Sequence, residues 1–161
     1  MKQVVLILSL TCLASAAKSQ TVSTEDFKPV EGEWKGKLTY LDYTSNKQET
    51  IDAWLTAKLR DKAVDFSIGY PGESGKGGKD SYEINGNGRK INGMKIVERT
   101  TTGDGMLKIV LEEKGKDGND HKPATFHYEL IIGKTTFIMT KLVKFEGSDR
   151  FFQRNQYRFN R

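Results

Sequence analysis

From Glu31 onward the chain repeats one pattern. Apolar and polar residues alternate with a period of two, run after run, between short turns rich in Gly, Asn and Asp. In EGEWKGKLTYLDY, Trp34, Gly36, Leu38 and Tyr40 share one parity, while Lys35, Lys37 and Thr39 share the other. Successive side chains of an extended strand point to opposite faces, so a lysine on each side of Trp34 fixes which face is inward. Ile51, Ala53, Leu55, Ala57 and Leu59 then alternate with Asp52, Trp54, Thr56 and Lys58. After the turn Arg60-Asp61-Lys62, Val64, Phe66, Ile68 and Tyr70 alternate with Asp65, Ser67 and Gly69. Three consecutive half-buried strands on short turns read as an antiparallel meander.

The middle is less regular. PGESGKGGKD (Pro71 to Asp80) reads as a loop, Tyr82 and Ile84 as a short strand, and Asn85-Gly86-Asn87-Gly88 as a turn. The long segment Arg89–Arg99 changes apolar parity at Gly93, which predicts a bulge there. Glu98 faces inward or outward depending on that bulge. Leu107, Ile109 and Leu111 form another alternating run, followed by the polar loop GKDGNDHKP. In the last third, Phe126, Tyr128, Leu130 and Ile132 lead into Gly133-Lys134, where a two-residue hairpin would pair Ile132 with Thr135. That puts Phe137, Met139, Lys141, Val143 and Phe145 on the inner face. The final run is expected to turn Phe151, Gln153, Asn155, Tyr157 and Phe159 inward. One helical turn is expected at Ser23–Phe27, capped by Ser23 or Thr24 and ended by Pro29.

The predicted fold class is all-β: an antiparallel up-and-down β-barrel of eight to ten strands with a short N-terminal helical turn. Closure removes exposed sheet edges. The segments above number nine, and an antiparallel ring needs an even number. Either Tyr82–Ile84 lies outside the barrel or Arg89–Arg99 is two strands, and the first resolution is preferred. Trp34, between Gly32 and Gly36, is expected to plug the base.

The stretch FKPVEGEWKG, with Phe27, Val30, Gly32, Trp34 and Gly36, resembles the opening of lipocalin-like proteins of the calycin superfamily. In that family a helical turn leads into a Gly-x-Trp strand, and an arginine of the last strand packs on the tryptophan. The resemblance implies that role for Arg161, which keeps the parity of Tyr157 and Phe159, with Arg158 as the alternative. It also implies a barrel that binds small, often apolar molecules.

Residues 1–19 have the three parts of a signal peptide: Lys2, the apolar run Val4 to Leu13, and the small residues Ala14 to Ala17. The run is too short to span a bilayer, and no second run of membrane length follows. Cleavage is expected after Ala16 or Ser19, so the chain is expected to be exported, periplasmic or extracellular, with residues 20–161 forming one barrel domain. Lys2 and Lys18 leave with the leader, so 26 bases become 24 against 21 acids and the net charge falls from +5 to +3. That balance gives no footing for nucleic acid. The single cysteine, Cys12, leaves as well and is poorly placed for lipid attachment, so the mature domain must be held by its core.

Catalytic signatures are sparse. His121 falls in a polar loop, and His127 points outward between Phe126 and Tyr128; neither is expected to bind haem or metal. GYPGESGKGG departs from a phosphate loop, with Tyr70 where glycine is needed and Gly77 where Ser or Thr would bind a metal. Its amides, with Lys76 and Lys79, leave open an anion nest. No cofactor and no catalytic residue is assigned. The candidate ligand-binding set is Phe66, Tyr70, Phe126, Tyr128, Phe137, Lys141, Gln153, Asn155 and Tyr157. A lysine inside such a wall calls for a carboxylate, water or a ligand; the alternatives are snorkelling to the rim or a slipped register. The predicted partner is a small hydrophobic or amphipathic molecule, an anionic one if Lys141 is its contact. Two rivals remain: a barrel-type enzyme using Glu98 or Lys141, and a module acting through its outer surface, where Trp54 would mark a protein contact unless the N-terminal segment covers it.

Overall fold

The computed structural model describes residues 20–72 and 76–161. The leader sequence, its cleavage position and Cys12 lie outside the described residues, as do residues 73–75 of the Gly-rich loop. Ten strands follow a 3-10 turn at Thr24–Val30: β1 (Gly32–Asp42), β2 (Lys47–Arg60), β3 (Ala63–Gly69), β4 (Gly77–Asn85), β5 (Lys90–Ile91), β6 (Met94–Thr101), β7 (Leu107–Asp117), β8 (Lys122–Ile132), β9 (Thr136–Phe145) and β10 (Phe152–Asn160). Each pairs antiparallel with the next and β10 pairs with β1, closing a lipocalin-like up-and-down barrel. No helix among the described residues is long and apolar enough to cross a membrane.

Both irregular segments differ from expectation, for local reasons. Tyr82 and Ile84 belong to a full barrel strand, β4, which pairs with β3 from Gly77 to Glu83. The segment 89–99 is two strands. Asn92 and Gly93 both have positive φ, 50° and 80°, the conformation of a tight two-residue hairpin. The bulge comes later, at Val97, where the β6–β7 register shifts between Ile96 and Glu98. Glu98 therefore pairs with Val110 on the outer wall, and its carboxylate meets Lys108 there at 3.3 Å. It is not an interior acid.

The β8–β9 connection is longer than a two-residue hairpin, since Ile132 pairs with Phe137 rather than Thr135. The difference spans an even number of residues, so the inward set of β9 is unchanged. In β10 a bulge at Arg154 separates Gln153, paired with Leu142, from Asn155, paired with Lys141. Asn155, Tyr157 and Phe159 keep the inward face while Gln153 turns outward. Phe151 precedes the strand and stacks on the outer-wall His127 with ring centres 4.2 Å apart.

The 3-10 turn covers the base. The Ser23 amide donates to Asp26 Oδ2, and Arg99 of β6 holds the other carboxylate oxygen at 2.6 Å. Phe27 and Val30 are fully buried beneath Trp34. The turn runs through Pro29 to Val30, one residue past its expected stop.

Candidate ligand cup

The interior divides into a packed floor and a half-open cup. Trp34, Phe66, Phe137 and Phe159, with Leu55, Ile109, Leu111 and Leu130, each keep no more than 2 % of their surface within reach of water. A void large enough for water would register as accessible surface on its lining, so this half is packed side chain against side chain. Phe66 stacks on Phe137 at 6.0 Å and meets the edge of Tyr82 at 4.9 Å. Trp34 Nε1 donates to the Val30 carbonyl at 2.7 Å, which satisfies the one polar group the ring takes into the core. The Arg161 guanidinium carbon lies 4.1 Å from the centre of the same ring.

Above the floor, exposure rises. Ile68, Tyr70, Tyr128, Met139 and Tyr157 are only partly buried although all face inward. Tyr70, just past the end of β3, and Tyr157 of β10 share a 2.7 Å hydroxyl–hydroxyl bond across the barrel. Burial pushes the Tyr128 phenol up to about 12, and the Glu113 charge adds to that. Burial likewise raises Tyr82 and Tyr157, helped at Tyr82 by Asp80 and Tyr128 and at Tyr157 by the Tyr70 bond. The hydroxyls of Tyr70, Tyr82, Tyr128 and Tyr157 thus gather over an aromatic floor.

Lys141 does face inward, opposite Tyr128 and Asn155. Its ammonium lies 4.2 Å over the Phe126 ring and 3.5 Å from Asp117 Oδ2, at the end of β7. Phe126 forms a second small cluster with Ala124 and Val143, next to Phe145 and Phe152. The Tyr43 hydroxyl, at the same end, is buried beside the Asp117 carboxylate, and the Arg154 guanidinium stacks on its ring at 4.1 Å while donating to the Leu41 carbonyl.

Of the residues singled out by sequence, Tyr70, Tyr128, Lys141, Asn155 and Tyr157 meet in the cup. Phe66 and Phe137 belong to the floor, and Phe126 to the wall beneath Lys141. Gln153 lies on the outer wall beside Gln156 and takes no part. Sequence reasoning missed Tyr82, whose inward parity was legible but whose strand was placed outside the barrel. It also missed Asp117, hidden in a loop-like run. His127 faces outward and meets Glu112 at 3.1 Å. No group of His, Cys, Asp or Glu among the described residues is placed to hold a metal ion. Outside, Trp54 is 41 % exposed and lies across Gly69. A Cβ at Gly69 would fall 2.2 Å from the indole, so the glycine is what lets the ring lie flat.

No family model and no curated protein matches the sequence. Among solved structures, the crystal structure of Rv2717c from M. tuberculosis is similar in fold, with a TM-score of 0.50 at 9 % identity over 86 % of this chain and 96 % of that one. A crystal structure of the N57A mutant of the fluorescent protein UnaG aligns at 13 % identity over 83 % and 96 % of the two chains, with a TM-score of 0.40. At these identities the first likeness bears on the fold alone, and the second is too slight to build on.

Proposed function

We propose that the chain is an exported binding protein that seats a small amphipathic molecule in the cup. The observation that supports this reading is the gradient along the barrel axis. A closed, water-free base gives way to inward tyrosines, Met139 and Ile68 that remain partly wet. An exported domain of this kind has no reason to leave large apolar side chains half-exposed on its concave face unless something covers them. The packed floor limits the ligand to the upper half, so a long chain would emerge from the mouth. Export rests on residues 1–19, and intact-mass measurement of the secreted protein should find it trimmed after Ala16 or Ser19.

Titration of the delipidated protein with an uncharged, environment-sensitive fluorescent amphiphile tests the cup. Saturable one-to-one binding is expected, weakened at least ten-fold by Asn155→Trp, which fills the cup from its wall. Trp54→Ala should leave it unchanged. A specific observation favours a second reading: open clefts of about 510 and 770 Å³ flank the exposed Trp54 on the outer wall. If Trp54→Ala removes binding and Asn155→Trp does not, the protein acts through that surface instead.

A further inference from the structure

The ring of strands is fully laddered only in its lower half. β5 is two residues long, pairing Ile84 with Ile91 and Asn85 with Lys90, and β6 reaches up β7 no further than Glu112. Above the Asn92-Gly93 turn, Glu113–Asp117 of β7 pairs with β8 alone and Gly77–Asp80 of β4 pairs with β3 alone. Asn92 stops the split from running down, accepting from the Glu83 amide at 2.7 Å and donating to the Ser81 carbonyl at 2.7 Å. The notch between β4 and β7 starts about two strands wide, roughly 14 Å between the flanking backbones, and rises roughly 15 Å along β7. It opens into the side of the cup.

The inward positions bordering this notch are acidic. Asp80 stands on β4, opposite Phe66, and Glu113 on β7, opposite Phe126. Among the described residues, neither carboxylate is in a salt bridge. Among the described residues, Asp80 accepts from the Ser81 amide alone, and Glu113 from the Tyr128 hydroxyl alone, at 3.4 Å. Between and below them lies Tyr82, 7 % exposed and inward-facing, whose hydroxyl takes part in no hydrogen bond among the described residues. The inward bases at this end are engaged elsewhere: Lys141 on Asp117 and the Phe126 ring, Arg154 on the Tyr43 ring and the Leu41 carbonyl. Lys47 and Glu49, paired with Asp42 and Tyr40, stand on the opposite rim.

We infer that the ligand of this cup carries a cationic head, an ammonium group held between Asp80 and Glu113 against the rings of Tyr82 and Tyr128, with its apolar part over the Phe66 and Phe137 floor. The inference rests on the cup reading above and adds the charge class. Two unmatched carboxylates supply the counter-charge, and phenol faces attract a cation through their ring quadrupoles. A carboxylate head would instead face both acids and find Lys141 already neutralised by Asp117. The chain is basic, +5 in full and +3 without residues 1–19, so bulk attraction works toward anions and a preference for a cation must come from the site itself.

Decyltrimethylammonium, decanoate and decanol, each below its micellar concentration, are set to displace the neutral fluorescent probe. The ammonium is expected to displace it at a concentration at least ten-fold lower than decanoate. Asp80→Asn with Glu113→Gln should cost the ammonium at least ten-fold and leave decanol unchanged. Tyr82→Phe, which removes only a hydroxyl, should weaken the ammonium by about three-fold. Glu112→Gln, on the outer wall, is the control and should change nothing. If the double variant melts early, Glu113→Gln alone, at an exposed position, carries the comparison. Decanoate binding as well as the ammonium, or an ammonium affinity indifferent to both acids, overturns the charge assignment and leaves the cup standing. If the probe itself never binds saturably, the cup fails and takes this inference with it.

Discussion

The Arg161 guanidinium lies 4.1 Å from the centre of the Trp34 ring and donates to the backbone carbonyls of Pro29 and Glu31, at 2.5 and 2.7 Å. One side chain thus holds the 3-10 turn and the plug of the barrel together from the end of β10. Arg161→Ala should destabilise the fold by about 1–3 kcal/mol, since it removes a cation–π contact and two charge-assisted hydrogen bonds. Arg161→Lys should recover less than half, because a point charge cannot reach both carbonyls and stack on the ring. Urea melts of the three proteins decide it; a lysine variant equal to the parent would mean that charge alone matters.

The two tryptophans should separate cleanly. Trp34→Ala empties a buried site and is expected to cost about 3–5 kcal/mol. Trp54→Ala uncovers Gly69 on the outer wall and should cost about 1 kcal/mol or less. Emission spectra give a second readout: the Trp34→Ala protein should emit at longer wavelength than the Trp54→Ala protein, because the ring that remains is exposed.

Asn92 does two jobs, adopting positive φ in the turn and supplying strand-like hydrogen bonds to β4. Asn92→Gly keeps the turn and loses the bonds, and should cost about 1–2 kcal/mol. Asn92→Ala loses both and should cost more. Amide exchange at Glu83, whose NH bonds to the Asn92 side chain, should accelerate in both variants while the β8–β9 amides stay protected.

Alkali should weaken the fold. The Tyr128 phenol titrates at about 12 in the folded chain against 10.0 in the open one, and burial raises Tyr82 and Tyr157 in the same direction. Above pH 10 the unfolded chain therefore holds fewer protons than the folded one, and stability falls as pH rises. The tyrosine contribution is fully present below pH 10 and is lost progressively through 12. Denaturant midpoints measured from pH 8 to 12 should be flat and then decline, and Tyr128→Phe should reduce the decline.

Most of the barrel was legible because alternation survives wherever a strand has one wet and one dry face. It carried the inward faces of β1, β2, β3, β8 and β9 without error; the packing of Arg161 on Trp34 came instead from the calycin resemblance. It failed where a strand is short or bulged. One extra residue at Arg154 reversed Phe151 and Gln153 relative to Tyr157, and the alternation of FFQRN gives no mark of it. Asn92-Gly93, by contrast, is a recognised two-residue hairpin pair, and reading it as a bulge concealed both β5 and the strand identity of β4. Within the cup, Lys141 was visible from parity, but its pairing with Asp117 was not. That carboxylate comes from a distant strand end whose sequence looks like loop.

β5 leaves the cylinder with an unequal seam. Its two ladders each hold two residue pairs, whereas every other neighbouring pair of strands is joined by at least six. Mechanically the molecule resembles a rolled ribbon fastened by a single button rather than a welded tube. Loosening that button would release no other strand, since β1 to β4 stay zipped to one another and β6 to β10 to one another, with β10 still joined to β1. Any widening of the mouth would therefore be expected at this hairpin, leaving the plugged base its shape. If the cup holds a ligand as proposed above, the rate of its escape would be set by one short hairpin rather than by unfolding.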